Sequence, residues 1–234
     1  QHAEREHFFN AAKIVAALTL LSRILGLLRD RAIFFFGANR LTDTFWAAFR
    51  IPNTFRRLFG EGALAAAFVP VFTHVAEAEG WNKARLVLAN ASGALAMILA
   101  ALFVLVEVGV GAVLLLAPGA WDRTLLLQLV MLVMPFMITV CLLALGSAAL
   151  QCRGRFAYPA FAPIVLNVFL ITAAYLAREW FHEARWEGLF LLSLSVVAGG
   201  VVQLVGVIWM LRRAGLAVVP KLRPLLPEIK RMGK

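Results

Sequence analysis

Long apolar runs separated by short polar breaks organise the whole chain. A helix needs about 20 mostly apolar residues to cross the hydrocarbon core of a bilayer. Six segments meet that description: residues 8–28, 43–73, 86–116, 125–150, 161–177 and 188–211. The second and third exceed the minimum, so tilt, kinks or extension beyond the bilayer are expected. Pro52 and Pro135 should kink the second and fourth, because proline removes a backbone donor and clashes with the preceding turn. The expected fold class is therefore an all-α, polytopic membrane helix bundle of about six transmembrane helices. Residues 1–219 would form the transmembrane six-helix bundle. Residues 220–234 would be a basic cytoplasmic tail, lying on the inner leaflet or, the preferred reading, linking to a further segment.

Composition supports the membrane assignment. Hydrophobic residues make up 62%, charged residues 15%, and the mean hydropathy is +0.84. Soluble domains are roughly half apolar and a quarter charged. The net charge of +10 is spread through apolar runs and loops rather than gathered on a soluble domain, which argues against a nucleic-acid partner. Cys141 and Cys152 lack metal-site spacing and are not expected to pair. The polar stretch 1–7 lacks the features of a signal peptide.

The distribution of Lys and Arg predicts orientation. Arg212, Arg213, Lys221, Arg223, Lys230, Arg231 and Lys234 follow the last span and should be cytoplasmic. An even number of spans returns the N-terminus, with Arg5 and Lys13, to the same side. Lys83–Arg85 and Arg153–Arg155 then also fall inside. The loops near residues 122–123 and 178–187 fall outside, where acids offset bases. Trp121, Trp180 and Trp186 mark the outer interface as an aromatic belt.

The most informative segment is 22–70, which carries Arg23, Arg29, Asp30, Asp43, Arg50, Arg56, Arg57 and Glu61 in or beside apolar helices. At 100° per residue, Ser22, Arg23, Gly26, Arg29 and Asp30 occupy about a third of a helix circumference. Asp43, Arg50, Asn53, Arg57 and Glu61 share a similar arc on the second helix, with Arg56 off it. An ionisable side chain at bilayer depth costs roughly 2.5–3.5 kcal/mol on insertion scales, so two such stripes should face each other or a shared aqueous cavity. Five arginines against Asp30, Asp43 and Glu61 leave two surplus cations. Arginine's planar donor fork suits phosphate and carboxylate, and a multiply charged anion such as a pyrophosphate is the natural ligand. The alternative is structural: an Arg50–Arg57–Glu61 ladder, with Arg29–Asp30–Arg31 in a surface loop.

Glu107 stands alone in the third span. It is either a proton or cation site or, the preferred reading, an interfacial or hydrogen-bonded carboxylate. His2, His7, His74 and His182 lack the i,i+4 partner of a metal site. Gly109–Gly111 and Gly199–Gly200 suit close helix packing. There is no phosphate-binding loop, dinucleotide fingerprint, nucleophile elbow or catalytic carboxylate pair outside the arginine-rich segment, so nothing points to an enzyme.

Three strings, SRILGLLRD (22–30), FGANRLTDTFWAAFRIPNTFRRLFGEGALAAAFVP (36–70) and RFAYPAFAPIVLN (155–167), resemble the MurJ/MviN family of lipid II flippases. The likeness extends through nearly the whole chain, to LRRAGL (211–216). It implies the N-terminal six-helix bundle of the multidrug/oligosaccharidyl-lipid/polysaccharide exporter fold. It further implies alternating-access movement of an undecaprenyl-pyrophosphate-linked peptidoglycan precursor, lipid II, from the inner to the outer leaflet of the bacterial cytoplasmic membrane. By motif position Arg23, Arg29 and Arg56, with Ser22 and Asp30, would bind substrate, and Asp43 and Glu61 would act in gating. No cofactor is implied within this chain. Coupling to an ion or to the membrane potential would lie in a second bundle, outside these six helices, which is also the implied protein partner beside lipid II and the bilayer. Arg31 and Asn39–Arg40 depart from the family pattern by adding positive charge. A related exporter of another lipid-linked oligosaccharide or of drugs, and a non-transporting structural membrane protein, are the alternatives; a cation-binding exporter would call for cavity acids rather than surplus arginine.

The charge asymmetry predicts that both ends of the chain face the cytoplasm. A cysteine at position 223 (Arg223→Cys) should resist impermeant thiol reagents added outside spheroplasts; labelling from outside would refute the orientation.

Overall fold

The computed structural model describes residues 2–34, 40–58, 63–117, 119–181 and 186–217. Glu61 and the tail 220–234 lie outside the described residues. Eight helices are described: α1 (His2–Phe34), α2 (Arg40–Arg56), α3 (Ala63–Ala78), α4 (Trp81–Leu116), α5 (Trp121–Val133), α6 (Pro135–Cys152), α7 (Ala157–Phe181) and α8 (Trp186–Arg213). Among the described residues four stretches are long and apolar enough to cross a membrane: Trp81–Leu116, Trp121–Cys152, Ala157–Trp180 and Trp186–Arg213. They correspond to the last four predicted spans. The first predicted span lies within the 33-residue α1. The second is divided between α2 and α3, the former running through Pro52 and ending in a widened turn at Arg57–Leu58. Pro135 does interrupt the fourth span, because it has no N–H to donate. The α5 ladder ends with Met134 N–H donating to the Val130 carbonyl (3.0 Å), and α6 restarts with Pro135 at its first turn, where the missing donor is harmless.

Glycine sets two helix ends. Gly154 (φ 73°) follows α6 and Gly215 (φ 74°) follows α8, both in the left-handed region that glycine adopts without steric cost. The next residue then reaches back across the last turn: Arg155 N–H to Leu150 O and Leu216 N–H to Leu211 O, each 2.9 Å.

α8 is the element around which the others are registered. It packs on α6 and α7, α7 packs on α1, and α2 packs on α5. Small residues let it approach closely. A Cβ at Gly200 would sit 2.5 Å from Phe136 Cδ2 and Thr139 Oγ1 of α6; one at Gly199 would sit 3.2 Å from Leu166 Cδ1 of α7. Farther along, Gly206 leaves room for the Tyr158 ring, whose hydroxyl donates to the Gln203 carbonyl at 2.6 Å. α8 therefore runs parallel to α6 and antiparallel to α7. The aromatic core continues from this contact: Phe136 stacks on Phe49 (6.0 Å) and Phe49 on Phe45 (6.1 Å), joining α6 to α2.

The bundle has chemically distinct ends. The start of α4 (Lys83, Arg85) meets the end of α6, where Arg153 lies 4.0 Å over the Trp81 ring. Parallel packing of α6 and α8 brings Arg212 and Arg213 to the same end. Exposed Trp121, Trp180 and Trp186 fall at the other. Cys141 and Cys152 are free thiols, the second accepting a hydrogen bond from Thr73 at 3.6 Å.

Gly109 and Gly111 correct one expectation. Nothing lies within 4 Å of a Cβ built at either, so they mediate no packing among the described residues; α4 turns its outer half, with Leu105, Val108 and Leu115, away from the bundle. Gly200→Ala should therefore destabilise the fold by about 1–3 kcal/mol through overpacking. Gly109→Ala should leave the thermal midpoint in detergent unchanged or slightly raised, since helical glycine is about 1 kcal/mol less favourable than alanine. Equal midpoints for the two variants would contradict the register described for α8.

Candidate functional site

α1 and α2 present their polar stripes to a common space. Ser22, Arg23, Gly26 and Arg29 of α1 face Trp46, Phe49, Arg50, Asn53 and Arg56 of α2 across a cavity of about 870 Å³. α6, α7 and α8 close it with neutral side chains, among them Ser147, Ala148, Gln151, Pro159, Ala162, Asn167 and Gln203. The volume lies within the range of small-molecule sites, roughly 300–1,000 Å³. The space reaches from mid-bundle toward the basic end, where α6 stops and α7 starts.

Four guanidinium groups border this space, and no carboxylate does among the described residues. Arg29 is the most constrained. Its Nε and Nη2 donate to Asp30 Oδ1 at 2.9 and 2.7 Å, and its Nη1 donates to Asn167 Oδ1 at 3.1 Å. Its guanidinium carbon lies 5.7 Å from the centre of the Trp46 ring. Arg56 donates from Nε to Asn53 Oδ1 at 2.9 Å, three residues back on the same helix. Arg23 and Arg50 are exposed and have no hydrogen-bond or ion-pair partner among the described residues. The surplus of base over acid inferred from residue counts is thus concentrated in one cavity.

Of the predicted substrate-binding residues, Ser22, Arg23, Arg29 and Arg56 are brought together at the cavity wall. Asp30 is not a lining residue: half of its side chain is exposed (53%) and it braces Arg29 from the side. Asp43 lies in the first turn of α2, exposed and outside the cavity. One turn earlier, Arg40 pairs at 3.5 Å with Asp122 of α5. The helical-wheel assignment of the second stripe is corrected at one step. Arg56 rather than Arg57 joins Arg50 and Asn53 at the cavity, and Arg57 is exposed outside it. Arg56 is drawn to the Asn53 side of α2 by its Nε–H bond to Asn53 Oδ1, and the widened turn at Arg57–Leu58 shifts the helical phase beyond it. Glu107 is remote from the cavity, half-buried on α4, with Oε1 unpartnered among the described residues.

Sequence reasoning did not single out the neutral polar wall. Asn167 (5% exposed) and Gln203 (3% exposed) are buried carboxamides in apolar helices. Gln203 Nε2 donates to the Ala162 carbonyl at 2.5 Å, tying α8 to α7. A lone Asn or Gln in a spanning helix was the available signal, since such residues hydrogen-bond across membrane helices.

Together the helices and cavity define a class: a multi-pass membrane protein of helical-bundle architecture, built around a cationic chamber. The chain belongs to the MurJ family, whose family model, described as lipid II flippase MurJ, matches residues 34–234. A probable lipid II flippase MurJ of Vibrio cholerae is 36% identical over 222 residues, covering 89% of this chain and 41% of the relative. A lipid II flippase MurJ of Burkholderia cenocepacia is 33% identical over 236 residues, covering 97% of this chain and 45% of the relative. A solved structure of lipid II flippase MurJ in an inward closed conformation superposes with a TM-score of 0.72 at 22% identity, over 94% of this chain and 44% of that one. That likeness shows the fold, all-α and polytopic as expected. The chain spans less than half the length of these relatives.

Proposed function

We propose that this chain acts in moving lipid II, a lipid-linked pyrophosphate, from the inner to the outer leaflet of the bacterial cytoplasmic membrane, and that its cavity receives the pyrophosphate. The observation that carries the reading is the chamber itself: four arginines border it, and no carboxylate lines it among the described residues. An anion there would supply the counter-charge that Arg23 and Arg50 lack among the described residues. A guanidinium offers two parallel N–H donors to a phosphoryl group. Relatives named lipid II flippases give the anion its class.

Ser22, Arg23, Arg29 and Arg56 are the substrate contacts in this reading, with Arg50 as a fourth cation. Asp30 takes part through Arg29 rather than by touching an anion, which its own charge would repel. Asp43 and Glu61 act in gating. Asp43 suits that role because it sits at the start of α2, beside the Arg40–Asp122 pair that bridges to α5. The basic end of the bundle faces the cytoplasm, as anionic lipid and the Lys/Arg bias of inner loops favour. Translocation of this kind makes and breaks no covalent bond in the cargo, so the arginines are needed as donors and counter-charges only. Ion or potential coupling falls to parts of the flippase outside this bundle.

Arg23→Ala, Arg29→Ala and Arg56→Ala, each placed in a full-length flippase carrying this bundle, should abolish complementation of a flippase-depleted strain. Lys at the same positions should rescue partly, because it keeps the charge and loses the fork. Arg212→Ala should be tolerated. If all three alanine variants complement while present in the membrane at normal levels, the pyrophosphate reading is wrong.

A further inference from the structure

Asn167 touches the arginine-bearing helix twice. From α7, its Oδ1 accepts from Arg29 Nη1 at 3.1 Å and its Nδ2 donates to the Ser22 carbonyl of α1 at 3.1 Å. Both ends of the amide are therefore engaged, which fixes its orientation. At 5% exposure it has little contact with solvent to exchange for these bonds. Gly26 lies between the two contact points, and a Cβ there would stand 3.9 Å from Asn167 Nδ2, so the helix surface under the amide is clear.

The donor count at Arg29 gives this contact a consequence. A guanidinium has five N–H donors: one on Nε and two on each terminal nitrogen. Asp30 takes the Nε donor and one on Nη2, and Asn167 takes one on Nη1. One N–H on each terminal nitrogen remains. Two adjacent donors on Nη1 and Nη2 are what a phosphoryl group engages in a bidentate pair. Trp46 packs near the guanidinium carbon and limits its swing. Without Asn167, Nη1 has no protein acceptor among those described, and only Asp30 and Trp46 hold the group.

We propose that Asn167 is a positioning residue: it aims the remaining donor pair of Arg29 into the cavity and latches α7 to α1 at the level where the anion binds. The proposal rests on the pyrophosphate reading of the cavity. It adds that α7, which carries no basic residue at the site, takes part in anion recognition through Arg29. A bound anion that pulls on Arg29 is mechanically linked to α7 through one hydrogen bond, and to the Ser22 turn of α1 through the other.

The test uses the purified chain in detergent with two readouts. The first is calorimetric titration with inorganic pyrophosphate. Asn167→Leu, close in volume and unable to hydrogen-bond, should weaken binding roughly tenfold, equivalent to about 1.4 kcal/mol. In an Arg29→Ala background the same change should have little effect, since the two residues act as one unit. Equal losses in both backgrounds would mean that Asn167 serves only the fold. The second readout needs no ligand: the rate of phenylglyoxal modification at Arg29, with Arg23 on the same helix as internal reference. Asn167→Leu should raise the Arg29 rate several-fold and leave Arg23 unchanged. Asn167→Asp keeps the acceptor for Arg29 and removes the donor to Ser22, so it should keep Arg29 slow. Parallel acceleration of both arginines, or of neither, overturns the proposal. If the unmodified chain shows no pyrophosphate binding, the cavity reading fails, and the modification rates alone decide whether Asn167 positions Arg29.

Discussion

Guanidinium groups cannot be deprotonated in a protein and cannot rest in hydrocarbon, and the architecture of this bundle follows from that pair of facts. Arg23, Arg29, Arg50 and Arg56 lie on helices whose remaining faces are apolar. Each requires water, an acceptor or an anion within reach. α1 and α2 answer by turning their polar stripes toward one shared chamber. The helices that complete the chamber offer neutral acceptors and small side chains instead of carboxylates. A carboxylate on α6 or α7 would have neutralised an arginine permanently. Asn53 and Asn167 accept from Arg56 and Arg29 without adding a negative charge to the cavity wall, while Asp30 pairs with Arg29 from the side.

The walls that hold this chamber open depend on close backbone packing behind it. α8 comes near α6 and α7 because Gly199, Gly200 and Gly206 present no side chain where Leu166, Phe136 and Tyr158 need room. The contact between α6 and α2 is made by stacked rings, Phe136 on Phe49 on Phe45. One side of this scaffold is rigid apolar packing and the other is the polar chamber. Gln203 bridges the two, its side-chain Nε2 donating to the Ala162 carbonyl while its backbone carbonyl accepts from the Tyr158 hydroxyl.

The two ends of the bundle differ in a way the bilayer imposes. Basic residues gather where α6 meets α7 and where α8 stops; Trp121, Trp180 and Trp186 lie at the opposite rim. Between them α4 exposes Met97, Ile98, Leu105, Val108, Leu115 and Leu116, an outward surface suited to hydrocarbon rather than to water. The chamber extends toward the basic end, where Gln151 and Pro159 line it.

Hydropathy determined the class and the approximate spans, and the placement of charge marked the arginine-rich segment, because the cost of placing polar groups in hydrocarbon is large and local. The last four spans appear with nearly the expected limits. The predicted second span did not survive as one helix, since periodicity reports an apolar stretch and is blind to where a widened turn at Arg57–Leu58 ends it. The helical wheel placed Arg57 rather than Arg56 on the cavity face, since it counts angles and misses the Asn53 side chain that holds Arg56 there. Asp30 resembled a cavity acid in one dimension, yet its carboxylate is occupied from the side by Arg29. Gly109 and Gly199 looked equivalent as small residues; only the neighbours of α4 and α8 separate an open face from a tight contact. Asn167 lies 138 positions from Arg29, and nothing in local pattern pairs them. A stripe on one helix is a property of its own spacing, whereas the partner across a cavity is set by how several helices pack, which only the tertiary structure decides.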